Sequence, residues 1–396
     1  MLLRIVTILA IINFYPIFNN SFTCVKAQSI EELMAEVDSN HLIKTVREFS
    51  GEDSTLLYGN QVLIRHRISS KGNDTAAYYI TEKLRDLELN FETDTYSIKG
   101  LNILATQIGQ TYPNSIYLIG AHYDAVARYC ADDNASGVAT ILETARILSK
   151  QCFDYTIMYA FWDEEELGLV GSKNYANNLA SNETNIAGVI NLDMLAYDSN
   201  NDGIFDIHTQ ADTASLYLKD KVLSVLYHHN LNLTANIFNP GTTRSDHASF
   251  WSNNIPAVMF GESFFGGDAN HAYHSIDDRI ELFNIPYYTE LTKLTLGTLA
   301  SLASPCYQIS LNSNGHNQQS RFQVYPNPTS SSLIVSSSIN KPYRILFTNF
   351  LGQIVLQEVT HKNQKEIKTN HLPNGLYRVS VLNGKKTSYK IILIQH

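Results

Sequence analysis

At 396 residues the chain is too long for one ordinary domain and long enough for a substantial core with an appendage. Its net charge of -9 is unevenly spread: residues 321–396 hold ten Lys and Arg against two Glu, and with Arg4 and Lys26 set aside, residues 28–320 carry -19. So acidic a body argues against a nucleic-acid partner and fits a soluble, cation-tolerant domain, while the basic tail needs an explanation of its own.

The chain opens with MLLRIVTILAIINFYPIFNN: Arg4, an apolar stretch, then a polar region ending Val25-Lys26-Ala27. That order predicts a secretory signal over 1–27, removed before Gln28. A membrane anchor is disfavoured because the stretch is short and broken by Asn13, Pro16, Asn19 and Asn20. A lipid attached at Cys24 is disfavoured by the preceding Ser21-Phe22-Thr23. Residues 28–50 read as a helical lead-in with Ser29 and Glu32 as a capping box, and 71–87 as a second helix. Apolar strands follow at 115–121, 155–161 and 187–193, separated by helices, one of them amphipathic over 134–150 with Asn134 and Ser136 as N-cap candidates. A helix at 211–229 and a buried strand at 255–260 continue the alternation. The pattern predicts an α/β fold with helices on both faces of a parallel sheet, filling 28–308. Residues 309–320 are polar and aperiodic and read as a linker, and 321–396 as a small β-sandwich of short alternating strands. Of the cysteines beyond the signal, Cys130 and Cys152 flank a helix roughly 25 Å long, whereas a disulfide needs Cα atoms about 5.5 Å apart, so that pair is disfavoured. The pairing of Cys130, Cys152 and Cys306 is otherwise open, with an odd thiol left over.

Five strings carry the chemistry: GAHYDAV (120–126), ADDNASG (131–137), FWDEEELGLVGS (161–172), INLDM (190–194) and HSIDD (274–278). Each presents an imidazole or carboxylate where a predicted strand gives way to a loop, the place where open α/β sheets keep their sites. His122 and Asp124, two residues apart at a strand end, share a face, so the aspartate can hold the imidazole in its metal-binding tautomer. Asp133 is suited to divide its two oxygens between two cations. Glu165 and Glu166 point in different directions, so that one can bind metal and the other face substrate. His122, Asp133, Glu166, Asp193 and His274 therefore make the ligand set of a two-zinc hydrolase rather than scattered loop carboxylates. His271 competes with His274, and the downstream SIDD selects His274. DSNNDG (198–203) has the oxygen spacing of a calcium loop in Asp198, Asn200 and Asp202, but the twelfth position is Thr209 in place of glutamate, and a plain turn is preferred. His208, His228 and His229 sit in ordinary patterns and read as core or surface residues. No Gly-x-Ser-x-Gly or reactive-cysteine context stands out.

In order and spacing, residues 40–305 resemble the secreted bacterial aminopeptidases that use two co-catalytic zincs, whose pattern runs GAHxDS, GAxDDxASG, EExGLxGS, xLDM and H(T/S)xxD. The resemblance implies the zinc exopeptidase fold, with a mixed, mostly parallel sheet. It further implies that His122 and Asp193 hold one zinc, Glu166 and His274 the other, that Asp133 bridges them, and that Asp124 supports His122. Counting back from Gly168 places the general base on Glu165 and leaves Asp163 and Glu164 outside the site. Peptide substrates would lose their N-terminal residue to a hydroxide shared by the metals. Ser245-Asp246-His247 also recurs in the family and reads as supporting rather than ligating. The chain departs from the pattern at Thr242, where relatives often carry the tyrosine that steadies the oxyanion, and this leaves that donor unassigned. Three rivals share the fold: a glutaminyl-peptide cyclase, disfavoured by the short EEELGLVGS; a carboxypeptidase; and a non-catalytic peptide-binding relative, disfavoured because no ligand is lost. The tail resembles the C-terminal sorting domain of proteins exported by the type IX secretion system of Bacteroidetes, on YPNP (325–328), FLGQIV (350–355) and LPNGLYRVSV (372–381). That resemblance implies the type IX machinery as partner and a route through the periplasm to the medium or outer cell surface.

Overall fold

The structure, a computed structural model, describes residues 21–25, 28–68, 70–182, 184–306, 308–312, 322–337, 342–349, 354–383 and 386–396. Most of the expected signal and residues 313–320 of the expected linker lie outside these. Two compact units divide the chain, one over Thr23–Ser310 and one holding the C-terminal strands from Leu311 onward.

The expected lead-in is two helices, α1 (Ile30–Met34) and α2 (Ser39–Ser50). The capping box forms: the Ser29 hydroxyl accepts the Glu32 N–H and the Glu32 carboxylate accepts the Ser29 N–H. Asp38 caps α2 by accepting from the N–H groups of Asn40 and His41. Beyond lie α3 (Ser70–Asp86), α4 (Gly137–Leu148), α5 (Val170–Ser181), α6 (Thr213–His228), α7 (His247–Trp251) and α8 (Ile285–Ala303). Helix α4 starts later than its periodicity predicts, because Ala131–Ser136 forms a wide turn with non-helical Asp133 and Asn134. Asn134 still serves the start of α4, its Oδ1 accepting the Gly137 N–H.

Eight strands form the main sheet: β1 (Asn90–Thr95), β2 (Leu101–Gln107), β3 (Tyr112–His122), β4 (Tyr155–Trp162), β5 (Ile186–Leu192), β6 (Ile204–His208), β7 (Thr234–Phe238) and β8 (Ala257–Glu262). Their order is β7-β6-β8-β5-β3-β4-β2-β1. The centre is parallel, β8 to β5, β5 to β3 and β3 to β4. The sheet is mixed because β2 and β1 join antiparallel at one side and β8 meets β6 antiparallel at the other.

Alternation along the central strands sorts side chains into two cores. Ile157, Tyr159 and Phe161 of β4 pack with Val138, Ile141, Leu291 and Leu299 of α4 and α8. Met158, Ala160 and Trp162 pack on the other face with Ala176, Leu179, Phe250 and Trp251 of α5 and α7. Each fully buried Val, Leu, Ile or Phe among them contributes about 1.5–3 kcal/mol. Cys152, just before β4, pairs with Cys306, just after α8, at a Cα separation of 5.2 Å, and Cys130 is a buried free thiol. The DSNNDG segment is a turn closed on itself: the Asp202 N–H donates to Asp198 and Asn200, the Ile204 N–H to Asp202, and Asn284 Nδ2 to Asp198. Gln308–Asn312, at the start of the expected linker, is a strand.

In the second unit, β9 (Phe322–Tyr325), β10 (Ser332–Ser337) and β13 (Gln364–Lys368) form one antiparallel sheet in the order β9-β10-β13. β11 (Tyr343–Thr348), β12 (Ile354–Thr360), β14 (Gly375–Asn383) and β15 (Lys386–Ile394) form another, in the order β12-β11-β14-β15. Leu333, Val335, Ile345, Phe347, Val379 and Ile392 from both sheets share one core.

Buried Glu143 locks α4 to α2: its carboxylate accepts Arg146 Nε and Nη2 at 2.8 and 2.7 Å and the Asp38 N–H at 2.9 Å, and meets His41 Nδ1 at 2.7 Å. Burial pushes this carboxyl up, but the Arg146 and His41 hydrogen bonds outweigh it and pull it down to about 2. The lowered value means the contribution is complete above the ordinary carboxylate range and disappears as pH falls towards 2. Glu143→Gln is expected to lose about 2–3 kcal/mol at pH 7. The gap to the wild type should narrow between pH 4.5 and 2, which thermal unfolding of both chelator-treated full chains at pH 7 and pH 3 checks.

Candidate metal centre

The predicted residues converge at the carboxyl ends of the parallel strands. His122 is the last residue of β3, Asp193 follows β5, Glu165 and Glu166 lie in the turn after β4, and Asp133 in the wide turn before α4. His274 comes from the long loop after β8, with a left-handed backbone at φ 61°. Together they line one cavity of about 310 Å³.

His122 Nε2 lies 3.2 Å from Asp133 Oδ1 and 3.4 Å from Asp193 Oδ1. His274 Nε2 lies 3.3 Å from Asp133 Oδ2 and 3.2 Å from Glu166 Oε2. The two oxygens of one carboxylate thus face two different imidazoles. Asp133 Oδ2 and Glu166 Oε1 are buried without a hydrogen-bond partner among the described residues. Ligands at zinc bond lengths of about 2.05 Å in a tetrahedron stand roughly 3.3 Å apart, so the spacing and the imidazole–carboxylate chemistry both fit zinc.

Asp124 does more than its sequence position shows. One oxygen lies 3.4 Å from His122 Nδ1 and accepts the Glu165 N–H at 3.1 Å, and the other accepts the Glu166 N–H at 3.1 Å. One carboxylate therefore orients an imidazole from β3 and the glutamate turn from β4. Asp278, the last residue of HSIDD, accepts the N–H groups of Asp132 and Asp133 and fixes the approach of Asp133.

Burial is the chief cause of the electrostatic strain here. It pushes Glu165 up to about 10, against the pull of His122 and with further push from Asp246, Asp193 and Glu166. It pushes Glu166 up to about 7, with Asp133 adding to it, and Asp246 to about 7, against the pull of His122 and Ser172. Asp133 is held low: burial opposes this, but the imidazoles of His122 and His274 beside its two oxygens prevail.

Several side chains beside the cavity were not singled out from the sequence. Tyr273 lines it, half-buried, its ring stacked on His274 with centroids 3.7 Å apart. His208, expected to be an ordinary residue, also lines it; its Nδ1 accepts the Thr242 N–H at 3.1 Å, and His247 Nε2 donates to the Thr242 carbonyl at 2.8 Å. Fully buried Arg67 donates to the carbonyls of Tyr123, Tyr129 and Cys130 at 2.9, 2.8 and 2.8 Å, pinning the loop from His122 to Asp133 from below. The tyrosine beside a candidate ligand histidine was a readable signal; Arg67 had none.

A mixed α/β sheet whose parallel strands bring two imidazoles and this set of carboxylates to one cavity defines a zinc-dependent hydrolase fold. Residues 102–298 match peptidase family M28, and this unit of the chain belongs to that family. Residues 323–395 match the secretion system C-terminal sorting domain, which marks a secreted or cell-surface protein. Leupeptin-inactivating enzyme 1 of Streptomyces exfoliatus is 36% identical over 173 residues, 43% of this chain and 36% of that protein. Aminopeptidase Y of Saccharomyces cerevisiae is 30% identical over 230 residues, 55% of this chain and 42% of that protein. The chain thus spans well under half the length of either curated relative. The Legionella pneumophila LapA aminopeptidase shares the fold, with a TM-score of 0.60 at 22% identity over 72% of this chain and 77% of that one. Among the described residues, no helix is long and apolar enough to cross a membrane.

Asparagine at Asp124 keeps the size but offers one acceptor where two N–H groups converge. Asp124→Asn is expected to weaken zinc affinity by about 10–100-fold with the secondary structure intact, measured by competition with a chromogenic chelator.

Proposed function

We propose that the chain is a secreted aminopeptidase that binds two zinc ions, His122 and Asp193 holding one, Glu166 and His274 the other, and Asp133 serving both. The observation that carries this reading is the division of the Asp133 oxygens between His122 and His274, each 3.2–3.3 Å away. Bound zinc would supply Lewis acidity, bringing the pKa of water towards neutral and polarising the scissile carbonyl.

The remaining work falls to the chain's own groups. Glu165, buried beside the ligand set, accepts the proton of the attacking water and passes it to the leaving amine. Asp124 holds the Glu165 N–H and so fixes where that carboxylate stands. Tyr273 takes the oxyanion role that Thr242 cannot. Its hydroxyl has no partner among the described residues, and burial, with Asp133, Asp193 and Glu166 nearby, pushes its pKa up, so it remains an O–H donor at neutral pH. The acidic cavity favours a free substrate ammonium over a blocked N-terminus, and aminopeptidase Y and LapA carry that activity in their names. The basic tail is read as the type IX sorting signal, acting after a signal-peptide step into the periplasm. The DSNNDG segment is read as a turn rather than a calcium site.

The test is zinc content of the purified full chain together with hydrolysis of aminoacyl chromogenic substrates and their N-acetylated counterparts. Close to two zincs per chain with cleavage of free N-termini only is expected; one zinc, or cyclisation of N-terminal glutamine without cleavage, would overturn the reading. Glu165→Gln should retain zinc and lose about a thousandfold in kcat, and retained turnover would remove the base assignment. Tyr273→Phe should lose about a hundredfold in kcat with KM nearly unchanged, a rate within threefold of wild type being the contrary result.

A further inference from the structure

Arg244 is the only Arg or Lys lining the cavity among the described residues, in a stretch of chain carrying -19. It is exposed and has no carboxylate partner among the described residues. A guanidinium left unpaired in so acidic a setting is available to a substrate group. Phe264, Phe265 and Tyr273 also line the cavity, and Tyr273 is near enough to Arg244 to feel its charge.

The backbone that presents Arg244 is held on both sides. Two residues earlier, both polar backbone groups of Thr242 are engaged, the N–H by His208 Nδ1 and the carbonyl by His247 Nε2. These bonds require the Nε2–H tautomer in both rings, and burial keeps both neutral, lowering His208 to about 4 and His247 to about 3. His208 is stacked on Phe238 with centroids 4.9 Å apart, and His247 meets Trp251 edge-on at 4.4 Å, so neither ring is free to turn. One residue later, Ser245 Oγ accepts from Asn191 Nδ2 at 2.8 Å. The segment is fixed before any ligand arrives, the condition under which a single charged contact discriminates well.

We propose that Arg244 is a specificity residue that receives a carboxylate of the peptide substrate close to the scissile bond. The inference rests on the peptidase reading above and narrows its substrate class to short or acidic peptides. The same chemistry is offered by the C-terminal carboxylate of a dipeptide, an acidic second residue or an acidic first residue, and a planar fork of donors suits all three.

Three matched pairs separate these sources on the zinc-loaded full chain: Leu-Ala against Leu-Ala-amide, Leu-Asp-amide against Leu-Asn-amide, and Glu-Ala-amide against Gln-Ala-amide. In at least one pair the carboxylate form should show a kcat/KM about tenfold higher, carried mainly by KM and shrinking as salt is raised. In Arg244→Gln that ratio should fall to about twofold or less, and Arg244→Lys should restore part of it. Cleavage of Leu-Ala-amide with no carboxylate preference in any pair, or an unchanged ratio in Arg244→Gln, overturns this inference and leaves the peptidase reading standing. No cleavage of Leu-Ala-amide overturns both.

Discussion

Everything at the cavity depends on one constraint, the crowding of buried carboxylates that cannot all be charged without cations among them. Asp133, Glu165, Asp246 and Asp124 are all buried, with Glu166 and Asp193 beside them, and the ligand set itself offers only His122 and His274 in compensation. The upward displacement of Glu165, Glu166 and Asp246 expresses that imbalance. A metal centre would resolve it, because divalent ions there would place positive charge where the side chains leave acceptors unpartnered. Such ions would also offset part of the -19 carried by residues 28–320.

The scaffold meets this demand by placing the candidate ligands on rigid strand ends and correcting their aim from behind. His122 and Asp193 leave neighbouring parallel strands, so the sheet itself sets their spacing. The loop-borne groups need additional constraints. Asp278 fixes Asp133, Asp124 fixes the glutamate turn, and Arg67 holds three carbonyls beneath the loop that joins His122 to Asp133. None of these three helpers lies in a regular element, yet each converts a flexible connection into one with a defined geometry.

Much of this was legible in the sequence for a simple reason: the strings that carry the candidate ligands combine a strand end, a short turn and a chemically distinctive side chain, all local features. The β3, β4, β5 and β8 segments were readable because strands buried on both faces are continuously apolar. β1 was not, since NFETDT is an edge strand with mostly exposed side chains, and the two-residue period carries little contrast there. The late start of α4 escaped because the apolar spacing continues through a turn whose backbone is not helical. Arg67 and the second role of Asp124 were invisible because their partners are backbone groups, which no side-chain pattern encodes. The pairing of Cys152 with Cys306 joins points 154 positions apart, and only the packing of α8 against the sheet brings them together.

That disulfide has a mechanical consequence. Cys306 lies where the chain leaves α8, and Cys152 sits at the entry to β4 in the middle of the sheet. Any tension on the chain beyond Cys306 meets the bridge before it reaches the packed helix. The covalent link diverts that load into the centre of the sheet, where it is shared by the β3 and β2 ladders on either side. Helix α8 is thereby protected from being peeled off the sheet from its C-terminal turn.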